Sequence, residues 1–283
     1  MTTHHFTVDV EEYFNFTGFE SRVPHSEWDT LESRVEASVS RLLDLLDQHQ
    51  ARGTFFVLGW VAERHPEMVL RITRAGHEIA SHGWDHKRVT ELKKADFRSS
   101  VRRTKDLLEN LTGTPIVGFR APHFSIVPGG EWALDVLIDE GYEYDSSLFP
   151  IQRSQYGYPQ GQRDPHWLER PAGRIAEFPP ATVRLLGMNL PAGGGAYFRL
   201  FPYGFVRFAF QGCQKRQVPG TFYIHPWEVD PGQPRLDVSR VWRWRHYGGL
   251  SRTGGRLKRF LSEFRFRPIA ETVAALQNGK RIP

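Results

Sequence analysis

The chain has 283 residues, 40% of them apolar, enough to bury a substantial core in one large domain or two small ones. Its formal net charge is +5 with acidic and basic residues interleaved, a mildly basic surface that suits an anionic polymer and gives nucleic-acid recognition no support. The lone Cys213 excludes an intramolecular disulfide and reads as a buried structural thiol; no apolar run reaches the roughly 18 residues of a membrane span; and Met1-Thr2-Thr3-His4-His5-Phe6 lacks the form of a secretory leader, so cytoplasmic residence is expected.

Phe6 to Glu12 reads as a first strand that delivers three carboxylates, Asp9, Glu11 and Glu12, at its end. Tyr13 to Asp29 is aromatic-rich with neither helical nor strand period, a connection lying beside those carboxylates. Arg34 to His49 places Val35, Val39, Leu42, Leu43 and Leu46 at helical spacing, Gly53 stops it, and Thr54 to Leu58 reads as a buried strand. Helical pattern returns from Trp60 to Ala75, with Pro66 opening a new turn. Glu78 to Ser81 is the next strand, with His82 at its exit and His86 four residues on. On a helical turn such a pair shares one face and could reach one metal ion; the plainer reading is that both line a surface helix.

Ala95 to Leu111 is amphipathic, Pro115 to Phe119 is a strand ending at Arg120, Glu131 to Glu140 is helical, and Tyr142 to Tyr144 leads into Asp145-Ser146-Ser147. This alternation implies a parallel sheet with right-handed crossovers, a single barrel-like domain being the simplest closure, and ligands bind where its strands end. Between Pro150 and Pro219 the pattern weakens into an elaborated set of loops, in which Gly193-Gly194-Gly195 matches neither nucleotide motif. Thr221 to Ile224 is a strand delivering His225-Pro226-Trp227-Glu228, and Arg256 to Phe264 is a short basic helix.

Distinctive polar residues thus stand at four strand ends: the three carboxylates, the two histidines, Arg120-Ala121-Pro122-His123, and His225. In these, and in Thr54 to Gly59, Gly76 to His82, Tyr144 to Pro150, Gly193 to Arg199 and His225 to Glu228, the chain resembles the polysaccharide deacetylases with NodB homology. This is carbohydrate esterase family 4, and the chain is most similar to the exopolysaccharide-locus branch that accompanies exosortase and PEP-CTERM systems. The resemblance implies an α/β fold, a distorted, incomplete (β/α) barrel of the NodB deacetylase type, with residues 1–283 as one domain and loops elaborated at 150–219. It implies hydrolytic removal of acetyl from N-acetylhexosamine units of an exopolysaccharide or its precursor, by a divalent metal, zinc first, with metal-bound water as nucleophile.

By the same resemblance His82 and His86 are metal ligands and a first-motif carboxylate is the third. The common pattern has adjacent aspartates, whereas Asp9-Val10-Glu11 carries a spacer, so Asp9 is the expected base and Glu11 the ligand, with Glu12 as the alternative. On an extended strand Asp9 and Glu11 point to one side. Arg120 is expected to position the base, His225 to act as the acid, and Asp145 is the nearest candidate to orient it. Pro122, His123, Tyr197, Arg199 and Trp227 are the expected substrate contacts, His123 standing where this branch has serine.

The chemistry asks for these residue types independently. Two imidazoles and one carboxylate leave zinc an open position for water, and an amide nitrogen departs poorly without a proton. Each residue also has a structural reading: a packed strand-end His225, a surface ion pair for Arg120, an ordinary turn at Asp145, simple packing for Tyr197 and Trp227. Two other functions stay open, hydrolysis of a cyclic amide or imide, and non-catalytic carbohydrate binding on this fold. The expected partner is an acetylated oligo- or polysaccharide, with association to membrane-bound exopolysaccharide machinery possible.

Overall fold

In the computed structural model, which describes residues 2–20, 22–153 and 156–277, the chain begins with β1 (Thr3–Val10), buried along nearly its whole length. Short 3-10 turns occupy much of Tyr13–Thr30, and α1 (Val35–Gln48) follows. Its helical start is fixed by Glu12, whose carboxylate accepts from the backbone N–H of Arg34 at 3.0 Å and of Val35 at 3.3 Å. Val39, Leu42 and Leu46 then face the core.

Next come β2 (Thr54–Val57), α2 (Gly59–Arg64), α3 (Pro66–Arg74), β3 (Glu78–Ser81), α4 (Lys94–Thr112), β4 (Gly118–Phe119), α5 (Trp132–Asp139) and β5 (Tyr144–Asp145). Pro66 does open α3, at a position where a missing N–H costs nothing. Gly113, at φ 67°, closes α4 in the left-handed conformation, its N–H returning to the Glu109 carbonyl.

The stretch expected to be loops at 150–219 is structured instead. It holds two antiparallel hairpins, β6 (His166–Arg170) with β7 (Gly173–Glu177) and β8 (Thr182–Leu185) with β9 (Met188–Pro191). Helices α6 (Gly195–Leu200) and α7 (Tyr203–Arg216) follow. The scattered Pro and Gly that blurred the periodicity sit between these short elements. After β10 (Thr221–Ile224) the chain adds α8 (Arg240–Tyr247), α9 (Leu250–Glu263), β11 (Arg265–Arg267) and α10 (Ile269–Gln277). The expected basic helix at Arg256 to Phe264 is the second half of α9. Cys213, in α7, is buried.

One sheet runs β10-β1-β2-β3-β4-β5-β7-β6, parallel throughout except at the β6–β7 hairpin. β11 shares the β2 edge of β1, pairing with Thr3–His5 where β2 pairs with Thr7–Val10. Among the described residues the sheet does not close: beyond β10 there are isolated parallel bridges, Pro180 to Thr221 and Gly194 to Tyr223. This is the α/β, distorted and incomplete barrel that the sequence led us to expect.

Register places the site. Val10 pairs with Val57, Val57 with Ser81, and Ser81 with Phe119, so Glu11, His82 and Arg120 leave the sheet in one row. Val8 pairs with Ile224, which sets His225 beside Asp9.

Candidate active site

Asp9 and Glu11 emerge on the same side of β1, as alternation along an extended strand requires. Both are buried, at 2% and 4% exposure, so their charges need specific partners. Arg120, fully buried, meets Asp9 from across the barrel: its Nη1 donates to Asp9 Oδ1 at 2.6 Å and to Thr7 Oγ1 at 2.7 Å. Its Nε and Nη2 are fixed by the Ser146 carbonyl and hydroxyl, and its plane lies over the Phe56 ring. Asp9 Oδ2 is thereby left facing the cleft, 4.0 Å from His225 Nε2.

His82 and His86 do meet, but not on a helical turn. Residues 82–88 form a loop with Gly83 at φ 74° and His86 at φ 58°, which folds the second imidazole back onto the first. The His82 Nδ1 lies 2.8 Å from the Arg120 carbonyl, which can only accept, so that nitrogen carries the hydrogen and Nε2 of the neutral ring is a bare lone pair. It faces Glu11 Oε1 at 3.3 Å. His86 Nε2 is buried without a hydrogen-bond partner, 3.1 Å from the same oxygen.

Two lone pairs converging on a carboxylate oxygen fit a cation between them. Bonds of about 2.0 Å in a tetrahedral zinc site put neighbouring ligand atoms roughly 3.3 Å apart. Burial raises the Glu11 carboxyl, but the imidazoles around it, His86 first, then His225 and His82, outweigh it and hold it well below the usual range. Glu12 is excluded as the third ligand, because it is spent on Ser33 and the N-terminus of α1.

Asp9, Glu11 and His225 form a second convergent group, with His225 Nε2 3.5 Å from Glu11 Oε1. The surroundings of His225 favour the protonated ring. Its Nδ1 lies 2.7 Å from Glu228 Oε1, which also accepts from its backbone N–H. Burial lowers the imidazole's affinity for a proton, yet Glu11, then Glu228 and Asp9, push its pKa up to about 9. Glu228 is itself fully buried; burial raises it, and Arg199 and His225 more than reverse this. Asp145, the expected orienter, is instead turned toward Ser147, whose hydroxyl donates to it at 2.6 Å. Ser147 in turn accepts from the Ala121 N–H, so Asp145 steadies the Arg120 segment.

The substrate contacts divide. Tyr197 lines the cleft, its hydroxyl 2.7 Å from that of Tyr156, and Pro122 is buried below Gly83. His123, at φ 59°, sets its ring edge-on to His86 at 4.2 Å; burial, then the neighbouring His86, lowers its pKa to about 3. Arg199 borders the cleft but is fully buried, pairs through Nε with Glu228, and donates to the carbonyls of Gly248 and Arg245. Trp227 also borders the cleft, with its faces stacked between His225 at 5.0 Å and His246 at 4.2 Å. Both brace His225, Trp227 by stacking on its ring and Arg199 through Glu228. Of Glu228 and Asp230, the two carboxylates that the sequence offers to orient the His225 loop, Glu228 meets His225 and Asp230 pairs with Arg34 and Arg41 instead. Phe16, Tyr156, Trp242 and Arg245 also line the cleft and carried no signal in the sequence.

Residues 26–131 match the polysaccharide deacetylase family, and residues 146–274 match a domain of unknown function, DUF3473. Over residues 26–131 the chain is thus similar to polysaccharide deacetylases. It is 32% identical over 96 residues to a peptidoglycan-N-acetylglucosamine deacetylase of Bacillus cereus, covering 34% of this chain and 35% of that one. It is 29% identical over 115 residues to the peptidoglycan deacetylase of Helicobacter pylori, 40% of this chain and 38% of that one. The chain thus spans well under half the length of these curated relatives. Among solved structures, a protein described as a polysaccharide deacetylase from Mycobacterium smegmatis shares the fold at TM-score 0.67 and 22% identity, covering 98% of this chain and 91% of that one. The Puue allantoinase shares it at TM-score 0.66 and 15% identity, covering 100% and 92%. His82, His86 and Arg120 lie within the deacetylase match, and His225, Glu228 and Arg199 within the segment of unknown function.

Proposed function

We propose that the chain is a metal-dependent deacetylase that hydrolyses the acetamide of N-acetylhexosamine units in an exopolysaccharide or its precursor, and that residues 1–283 work as one domain. The observation that carries this reading is the convergence of Glu11 Oε1, His82 Nε2 and His86 Nε2 at 3.1–3.3 Å beside a separate base and a separate acid. Sugar binding alone requires none of the three. The assembly of one site from both matched segments supports the single domain.

Glu11, His82 and His86 would hold the cation, and the donor set suits zinc. Such an ion supplies polarisation of the amide carbonyl and a water of lowered pKa. Asp9, with Oδ1 occupied by Arg120, has Oδ2 available to take the proton from the attacking water. His225 Nε2, on the other side of Glu11, gives its proton to the departing nitrogen as the C–N bond breaks. Water and amide are thus converted to acetate and a free amine, and the proton on Asp9 returns to solvent or to His225. Glu228 accepts the Nδ1 hydrogen throughout and keeps the ring oriented.

Acetate release from N-acetylglucosamine oligomers and from a cell-derived exopolysaccharide tests this, comparing the zinc-loaded chain with Asp9→Asn. The proposal predicts release by the parent and a loss of at least about a hundredfold in the variant, the scale of general-base catalysis. Ring opening of allantoin in place of acetate release would move the reading to cyclic amides. Equal cellular effects of parent and variant would favour a binding role.

A further inference from the structure

The arginines around the cleft are paired one by one. Arg120 meets Asp9, Arg199 meets Glu228, and Arg88 donates to both Glu20 and Glu91. Two break the pattern. Arg245, in the last turn of α8, lines the cleft, with its guanidinium carbon 5.3 Å from the Trp242 ring centre. Arg153 donates to the Tyr197 hydroxyl at 3.4 Å and to the Gln152 carbonyl at 3.1 Å. Among the described residues neither has a carboxylate partner.

Arg153 thus touches the hydroxyl pair of Tyr156 and Tyr197, and Arg245 lines the same cleft as both tyrosines. Burial and Tyr197 push the Tyr156 phenol up to about 12, with the charges of Arg245 and Arg153 pulling the other way. Tyr156 and Tyr197 share the cleft with Glu11 and His225, and the surface continues over Arg88 and Tyr156 to Arg153. The anchoring is specific as well. The Arg245 carbonyl accepts from Arg199 Nη2 at 2.9 Å, so the guanidinium that steadies Glu228 also pins α8 over the site. Two uncompensated cations beside a centre that itself takes a cation repel one another unless an anion joins them, and a guanidinium fork matches a carboxylate or phosphate.

We infer that Arg245 and Arg153, with the Tyr156 and Tyr197 hydroxyls of the same cleft, form a subsite for an acidic group on the saccharide, adjoining the N-acetylhexosamine that is deacetylated. The inference rests on the deacetylase reading and narrows its substrate to acidic saccharides. A uronate carboxylate and a sugar-linked phosphate share this chemistry, and separate probes tell them apart.

The test is a binding titration of the zinc-loaded chain with a neutral N-acetylglucosamine oligomer, a hexuronate–N-acetylhexosamine oligosaccharide of equal length, and N-acetylglucosamine 1-phosphate. Each is repeated with Arg245→Gln and Arg153→Gln, and acetate release is followed in parallel. At least one acidic probe is expected to bind about tenfold more tightly than the neutral oligomer, the scale of one charge-assisted hydrogen bond. That preference should fall about tenfold in Arg245→Gln and weaken with rising salt. Which acidic probe shows it identifies the group as carboxylate or phosphate. Neutral and acidic saccharides binding alike, or a preference untouched by both substitutions, would overturn the subsite while leaving the deacetylase reading intact. Failure of every saccharide to bind, with no acetate released, would overturn both.

Discussion

Glu228→Gln keeps the shape of the side chain behind His225 but removes the charge that holds its proton. The account predicts a loss of about a hundredfold on an N-acetyl sugar, where the leaving amine must be protonated. It predicts little change on 4-nitrophenyl acetate, whose phenolate departs without help. Steady-state rates on the two substrates check this; equal losses on both would place Glu228 elsewhere in the reaction. A second single-residue prediction concerns His77, whose Nδ1 accepts from the Gly53 N–H at 3.2 Å. Burial, with Arg52 nearby, lowers its pKa to about 4 in the fold, against 6.5 when exposed. The unfolded chain therefore takes up the proton first on acidification. The stabilisation due to the neutral ring is complete above pH 6.5 and is lost toward pH 4, on the order of 3 kcal/mol at most. In His77→Asn, which retains an acceptor, urea midpoints should fall less than the parent's between neutral pH and about pH 5. Parallel curves would contradict the assignment. Asp9, Glu11, His82 and His86 were legible because water activation demands few residue types at strand ends. The role of Arg199 was not, because what sets it is complete burial against Glu228, and an arginine beside a glycine run looks the same on a surface.

Gly194 carries the largest backbone constraint near the site. At φ 143° it lies so close to β10 that a Cβ there would stand 1.7 Å from the Tyr223 carbonyl oxygen. Gly194→Ala must therefore push β10, and with it His225, out of place. Loss of a folded product or of activity is expected. By contrast Gly255, inside α9, has nothing within 4 Å of a Cβ, so Gly255→Ala should gain about 0.5–1 kcal/mol from helix propensity. Thermal unfolding of the two variants checks both directions; a neutral Gly194→Ala would refute the close approach. The strand-and-helix alternation up to Tyr144 was readable because the longer helices α1 and α4 show their period and the short apolar strands fall between them. The hairpins β6–β7 and β8–β9 were not, being four or five residues each between turns. The loop that joins His82 to His86 was misread for a related reason: a spacing of four serves a helical turn, but positive φ at Gly83 and His86 achieves the same convergence without one.

At the scale of the whole molecule, the sheet register is what converts scattered residues into a site. Asp9, Glu11, His82, Arg120 and His225 come from four strands whose ends align, although more than two hundred residues separate the first from the last. Among the described residues, no helix is long and apolar enough to cross a membrane. Because the ligands meet only in the folded chain, a cation bound there stabilises the whole fold, by about 4 kcal/mol at a thousandfold excess over its dissociation constant. The barrel was foreseeable from alternation and from the family motifs. Its failure to close was not foreseeable from periodicity, since it depends on bridges through Pro180 and Gly194 that have no pattern of their own.

The most direct test of the account is a zinc titration of the metal-stripped chain, with bound metal and acetate release from an N-acetylglucosamine oligomer measured on the same samples. Activity should rise with bound zinc and saturate at one ion per chain, and Glu11→Gln should lose both together. Full acetate release by the stripped chain, or by Glu11→Gln with its site empty, would contradict a metal centre at Glu11, His82 and His86.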